Sequence, residues 1–446
     1  MRPAVYLLRA GIALGWTRAT SMSERASSAV HSRVFYGYIV VGAALVMMTV
    51  SSGAMFSYSV FFAPLQQEFG WNRAVTSAAF SVNMVVQGLL SLGVGRLNDR
   101  FGPRVILTLS GVLLGAGFIL VSRISTVWQL YFLFGVVIGA GVSGGPVPLM
   151  STVARWFRAR RGLMTGIVMA GVGFGTMFVP PFAEWLIGTL SWRSSFVAVG
   201  ILLLAVIPLT AQWLRRDPWQ LGLRPLGDVE ASGSAGAGRS PDGVSVGEAK
   251  RKRQFWLLLA AFFGFGFAVH SVMVHVVVHA TGLGLPSSQA AAIMTAIGAL
   301  SVAGRVGVGS LADRYGSKRL LLSQFALLSL SLVGFSLLQR DWALFACAAV
   351  FGFGFGGVVP LNSHIVAELF GLRAHGAILG ATGLGIGLGS ATGPVFTGWC
   401  YDALGSYSVP FLVCSGFAVA SGLLVSLIKP VTQTVGETVT KSAVPR

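Results

Sequence analysis

The chain has 446 residues, of which 54% are hydrophobic and only 10% charged, with a mean hydropathy of +0.76 and a formal net charge of +18 at pH 7. A soluble domain is roughly 25% charged, so this chain cannot cover a water-facing surface with polar side chains, and lipid must be its solvent. Cys347, Cys400 and Cys414 lie in apolar stretches without disulfide or metal-ligand spacing, and no GxxxxGK[ST] loop occurs, which excludes transport powered by nucleotide hydrolysis.

In chain order, residues 1–34 read as a disordered cytoplasmic tail. Ala4 to Gly15 is apolar but short and broken by Arg9, a poor span, and Met22 offers an alternative start. A spanning helix needs roughly 20 apolar residues, and twelve such stretches follow. The first six, at about 36–62, 76–94, 105–122, 128–150, 163–188 and 193–213, make a half covering 35–214. Residues 215–253 are rich in Gly, Ser and Ala with a basic end, Lys250 to Arg253, and read as a cytoplasmic linker touching anionic headgroups. Six more stretches, at about 254–280, 288–308, 320–338, 342–366, 376–399 and 406–428, make a second half at 254–429, before a tail at 430–446. The expected fold is an all-α membrane protein of twelve transmembrane helices in two six-helix halves.

The halves repeat one another. GRLNDRFGPR from Gly95 and GSLADRYGSK from Gly309 stand 214 positions apart, pairing Asp99 with Asp313, Arg100 with Arg314 and Arg104 with Lys318. At the same offset Gly162, Gly166, Gly171, Gly173, Gly175 and Pro180 match Gly376, Gly380, Gly385, Gly387, Gly389 and Pro394. Parallel repeats of this kind build secondary transporters, and glycines at such spacings let helix backbones approach and slide. With the repeated loops on one side, 27 of the 32 basic residues fall on that side, four (Arg73, Arg123, Arg193 and Arg340) fall opposite, and Arg305 stays inside a span. The positive-inside rule makes the rich side cytoplasmic, with both termini there, in an inner or plasma membrane. The net charge is thus a topology signal rather than a nucleic-acid footprint.

Ionisable groups inside a span are costly and therefore candidates for function. Arg305 has no acid within a helical turn, and its repeat equivalent is Ser91, so its charge belongs to the second half alone. Its planar fork fits a carboxylate brought by a substrate, whereas a structural role would have it snorkel or bond backbone carbonyls. His270, His275 and His279 share one span, with His275 and His279 on one face, suited to hydrogen bonding or proton carriage and too few for a metal site. Glu184, beside Trp185, is the one acid plausibly within the membrane and a candidate proton carrier. Asn83, Gln87, Asn362, His364 and Tyr131 complete the polar set, and of these Asn83, Gln87 and Asn362 are of the kind that more often bridges helices than binds ligand.

Twelve spans, the double repeat and the GxLxDRxGxR loops resemble the major facilitator superfamily over about 36–430. That resemblance implies that Asp99 or Asp313, with Arg100 and Arg314, latches the halves by setting a carboxylate at a helix N-terminus of the other half. Within the superfamily, RRGLMTGIVMAG at 160–171 and FGWNRAVTSAAFS from Phe69 are similar to the monocarboxylate porters. SVAGR at 301–305 keeps that family's Arg as Arg305 but has Ser301 where an acid or amide is usual, and Phe56 stands where animal members carry Lys. His275 matches a substrate-contacting His of some bacterial members. The expectation is a carrier of a small monocarboxylate, in symport with protons. Arg305 and Ser301 would hold the carboxylate, His275 assist, Phe56, Tyr58 and Tyr131 line the apolar part, and His275 or Glu184 carry the proton. No metal, cofactor, catalytic residue or nucleic acid is expected, the partners being the organic anion, protons and the bilayer. Three alternatives are an oxalate/formate-type exchanger, disfavoured because 376–399 holds no Lys or Arg, a proton-coupled drug exporter, and a non-transporting receptor.

Overall fold

The computed structural model describes residues 35–158, 160–227, 243–371 and 373–428; the tails at 1–34 and 430–446, the middle of the linker and the side chain of Asp313 lie outside the described residues. Twelve helices among those described are long and apolar enough to cross a membrane. They are α1 (Tyr36–Phe69), α4 (Val127–Trp156), α2 (Arg73–Phe101), α3 (Pro103–Val121), α5 (Arg161–Thr189) and α6 (Trp192–Ala211) in the first half. The second half holds α7 (Arg253–Gly282), α8 (Ser287–Tyr315), α9 (Ser317–Leu337), α10 (Asp341–Phe370), α11 (His375–Leu404) and α12 (Ser408–Ser426). No strand occurs among the described residues beyond two isolated bridges.

Local signals set the helix ends. Asn72 caps α2 by accepting from the Val75 amide, and Thr126 with Gln129 forms a capping box before α4. The repeated loops turn at Gly102 and Gly316, with φ of 80° and 79°, a region open to glycine and hostile to side chains bearing Cβ. The repeat extends to single hydrogen bonds: Arg104 Nε donates to the Leu214 carbonyl at 2.7 Å, and Lys318 Nζ to the Ile428 carbonyl at 2.6 Å. Each ties the second helix–loop junction of its half to the end of the sixth helix.

Within α4, Tyr131–Ile138 winds as a π-helix, and Asn83 of α2 donates to the Phe134 carbonyl there at 2.7 Å. Pro180 and Pro394 stand inside α5 and α11 at equivalent positions. The described ends of the linker are anchored rather than free. Leu226 pairs with the end of α4 through the Trp156 carbonyl, Val244 with the end of α10 through the Phe370 carbonyl, and Val246–Arg251 forms a short capped helix.

The two halves meet along two helix pairs, α5 with α8 and α2 with α11, with α1 resting on α7. The end carrying the repeated loops is called the basic end, and the opposite one the far end.

Candidate substrate site and the seam between the halves

Toward the far end the seam is tightly packed. A methyl group on Gly298 would overlap the backbone of Met177 and Gly173, and one on Gly173 would strike Val302 and Ser301. Thr295 Oγ1 donates across the seam to the Met177 carbonyl at 3.0 Å. Further out, Asp402 at the end of α11 accepts from the Arg73 and Ala74 amides at 3.0 and 2.8 Å, the first turn of α2. A carboxylate there is favoured by the helix dipole and by unpaired amides. The Arg73 guanidinium lies 3.4 Å from the Tyr401 ring centre and 4.8 Å from that of Tyr407. In the other pair, Glu184 of α5 meets the side chain of Ser287, the first residue of α8 and the repeat equivalent of Arg73.

At the basic end the same helices have parted. Gly162 and Gly166 of α5, Gly307 of α8, Gly88 and Gly93 of α2, and Gly376, Gly380 and Gly383 of α11 have no atom within 4 Å of where a Cβ would stand. The loop residues follow suit. Asp99 pairs with Arg155 at 3.2 Å and lies 3.9 Å from Arg216, both in its own half, while its side chain stays 65% exposed. Arg100 and Arg314 lie over the rings of their neighbours Phe101 and Tyr315. Across the seam, none of these described groups engages the other half.

Arg305 sits where the seam opens, one to two turns beyond Gly298 and Val302, the α8 residues that touch α5. It is 6% exposed. Nη1 donates to Ser301 Oγ at 2.7 Å, the guanidinium carbon stands 4.9 Å from the Phe355 ring centre, and Nε is buried with no hydrogen-bond partner. Among the described residues it forms no ion pair. A charge at mid-membrane costs about 2.5–3.5 kcal/mol even on the mildest scale. One serine and one aromatic face offset part of that and leave donors to spare, since a guanidinium carries five.

The structure does not bring His275 to Arg305. His275 is fully buried, with Nε2 2.9 Å from the Pro394 carbonyl and Nδ1 2.9 Å from the Tyr407 hydroxyl. The carbonyl can only accept, so Nε2 carries the proton and Nδ1 accepts from Tyr407. The ring packs against Phe62 of the first half, 5.2 Å between centres, which makes it part of the far-end closure. His279 bonds the Phe335 carbonyl at 3.1 Å. His270 lies deeper along the seam. Its Nδ1 is 3.2 Å from the Gly266 carbonyl and 2.8 Å from Ser390 Oγ, and its ring centre is 6.2 Å from Phe56 and 6.0 Å from Phe80.

Phe56 therefore faces the second half. Tyr58 turns the other way: it is buried inside the first half against Phe80 and Phe134 and donates to the Thr76 carbonyl at 2.6 Å. Tyr131 ties α4 to α2 through the Val75 carbonyl at 2.9 Å. Asn362 accepts from Thr382 at 3.1 Å, a bridge between α10 and α11. Sequence reasoning missed Asp402, Arg73 and Tyr407 as seam residues. One signal was available, since Arg73 and Ser287 are repeat partners at the starts of α2 and α8.

A bundle of twelve apolar spans in two repeated halves that meet along paired helices is the architecture of a multi-pass membrane transporter. The chain belongs to the Major Facilitator Superfamily, whose profile matches residues 43–341 and 308–444. Among curated proteins it is similar to Monocarboxylate transporter 13 of Rattus norvegicus, 26% identical over 395 residues, covering 88% of this chain and 89% of that one. It is also similar to the Oxalate:formate antiporter of Oxalobacter formigenes, 27% identical over 404 residues, covering 88% and 92%. Among solved structures, a bacterial homolog of the human lysosomal transporter Spinster, in an inward-facing and unoccupied conformation, superposes with a TM-score of 0.67 at 17% identity, covering 88% of this chain and 97% of that one. That likeness shows the shared fold.

Proposed function

We propose that this protein moves a small monocarboxylate across an inner or plasma membrane by alternating access, in symport with a proton, and that Arg305 binds the carboxylate. One observation carries the reading: a guanidinium buried within a span, next to the seam contacts of α8, whose Nε has no partner and which meets no protein acid among the described residues. A substrate carboxylate completes it with two parallel charge-assisted hydrogen bonds. Ser301 orients the fork, and Phe56, Phe355 and His270 supply the walls. His275 comes within reach only when the Phe62 and Tyr407 contacts open, so its part in binding belongs to the opposite state. Tyr58 and Tyr131 support the first half from within.

The basic end faces the cytoplasm, with both termini there, which makes the arrangement described here inward-facing. Moving one charge across 100 mV costs about 2.3 kcal/mol, and a proton travelling with a monoanion removes that cost. His275 and Glu184 remain the candidates to carry it. The antiporter relative favours a second reading, exchange of a dicarboxylate for a monocarboxylate. Yet α11 contains no Lys or Arg to meet a second carboxylate, so one charged end suits the site better. Proteoliposomes decide between them. An imposed inward proton gradient should accelerate uptake of a labelled monocarboxylate into empty vesicles, whereas a strict exchanger requires internal counter-substrate; uptake undiminished in Arg305→Gln would remove Arg305 from the mechanism.

A further inference from the structure

The two repeated loops end differently, and the difference concerns an anion. In the second half, Glu368 at the end of α10 accepts from the Ser317 amide at 3.3 Å and its hydroxyl at 2.7 Å, so the N-terminus of α9 is capped by a protein carboxylate. The equivalent positions in the first half are Pro103 and Ala154, 214 residues earlier, and no side-chain acid can stand at that corner. A cavity of about 400 Å³ lies there instead, lined by Arg100, Gly102, Pro103, Arg104, Arg215 and Arg216. It joins the first turn of α3, which has no side-chain cap, to four guanidinium groups.

These charges are not consumed locally. Arg104 and Arg215 are like-charged neighbours, and the Nε of Arg215 is buried without a hydrogen-bond partner, whereas Arg216 is held by Asp99 and Asp217. The acids nearby are Asp99 and Asp217, both already engaged by Arg155 and Arg216. Five arginines therefore face two carboxylates. The surface running from the corner toward mid-membrane is apolar: Phe101, Val105 and Leu109 on one side and Leu209 and Trp213 on the other are each more than half exposed.

We propose that this corner binds the phosphate group of an anionic lipid headgroup, with the acyl chains lying along α3 and α6. The α3 amides and the arginine fork supply directed donors that phosphate accepts, and the exposed apolar strip explains why the phosphate comes with chains attached. The second half needs no such ligand because Glu368 does the same work.

The test uses the full-length protein in neutral detergent, with phosphatidylglycerol, phosphatidylcholine or inorganic phosphate added, read by native mass spectrometry for retained lipid and by thermal unfolding. Phosphatidylglycerol should be retained and raise the melting temperature, and phosphatidylcholine should do neither. Arg215→Gln should weaken retention about fivefold, the weight of one guanidinium near an anionic surface. Ala154→Glu, which installs the second half's own acid without removing a cation, should abolish it, while Lys250→Gln on the linker should change nothing. Equal retention in the wild type, Arg215→Gln and Ala154→Glu would overturn the site. Protection by inorganic phosphate equal to that of the lipid would overturn the headgroup assignment and leave a soluble anion in its place.

Discussion

The far and basic ends of the seam are built from the same four helices, yet one is locked and the other open. At the far end, glycine-level contact, Asp402 on the α2 amides and Thr295 on the Met177 carbonyl hold the halves together. At the basic end the motif acid Asp99 is turned onto Arg155 and Arg216 in its own half. The difference teaches that a carboxylate presented to a helix N-terminus across the seam, as Asp402 is to α2, can hold one end while the described motif groups at the other end make no such contact.

The largest effect expected from disturbing this arrangement is at its pivot. Arg305→Gln should lower carboxylate uptake about 30-fold or more, the loss of a charge-assisted pair worth roughly 2–3 kcal/mol, and Arg305→Lys should recover only part because an ammonium lacks the fork. Radiolabelled uptake with equal protein per vesicle measures both. Next, Gly298→Leu and Gly166→Leu should each reduce transport about tenfold but in opposite states. The first wedges the far end open and the second obstructs closure of the basic end, as overpacking of close helix contacts does. Hydrogen exchange at the ends of α2 and α11 should rise at the far end only in the first.

A smaller shift is expected from Asp402→Asn. Removing a carboxylate from a helix start changes the balance of states by about 0.3–2 kcal/mol, or roughly 2- to 30-fold. Fluorescence energy transfer between labels on the far-end loops should report a larger open population, and no change there would reduce Asp402 to a surface acid. The smallest effect belongs to Tyr58→Phe, which deletes the bond to Thr76 at a cost of about 1 kcal/mol in stability. Its uptake KM should match the wild type; a raised KM would return Tyr58 to the substrate path.

Much of the design was legible in the sequence because repetition and charge are linear signals. The paired loops at Gly95 and Gly309 revealed two halves, and one cation inside a span revealed Arg305. What stayed hidden depends on which way helices turn. Asp402 and Arg73 are 329 positions apart, and nothing local in either predicts the hydrogen bond that joins them. His270 and His275 lie on one helix, but the faces they present follow from the packing of α1, α2 and α11 around it. For Tyr58 and Phe56, two residues apart, the pitch of the helix sends one into its own half and the other to its partner.

Pro180 and Pro394 give the moving helices a property of their own. Each proline lacks an amide hydrogen, so the carbonyls of Thr176 and Ser390 have no backbone donor one turn along; Pro181 removes a second donor from α5, opposite Met177, whose carbonyl accepts from Thr295 of α8 instead. Flexure concentrated at those prolines would let the outer segments of α5 and α11 tilt while their inner segments stay put. The far gate can then loosen as a pair of short levers rather than as two whole bundles.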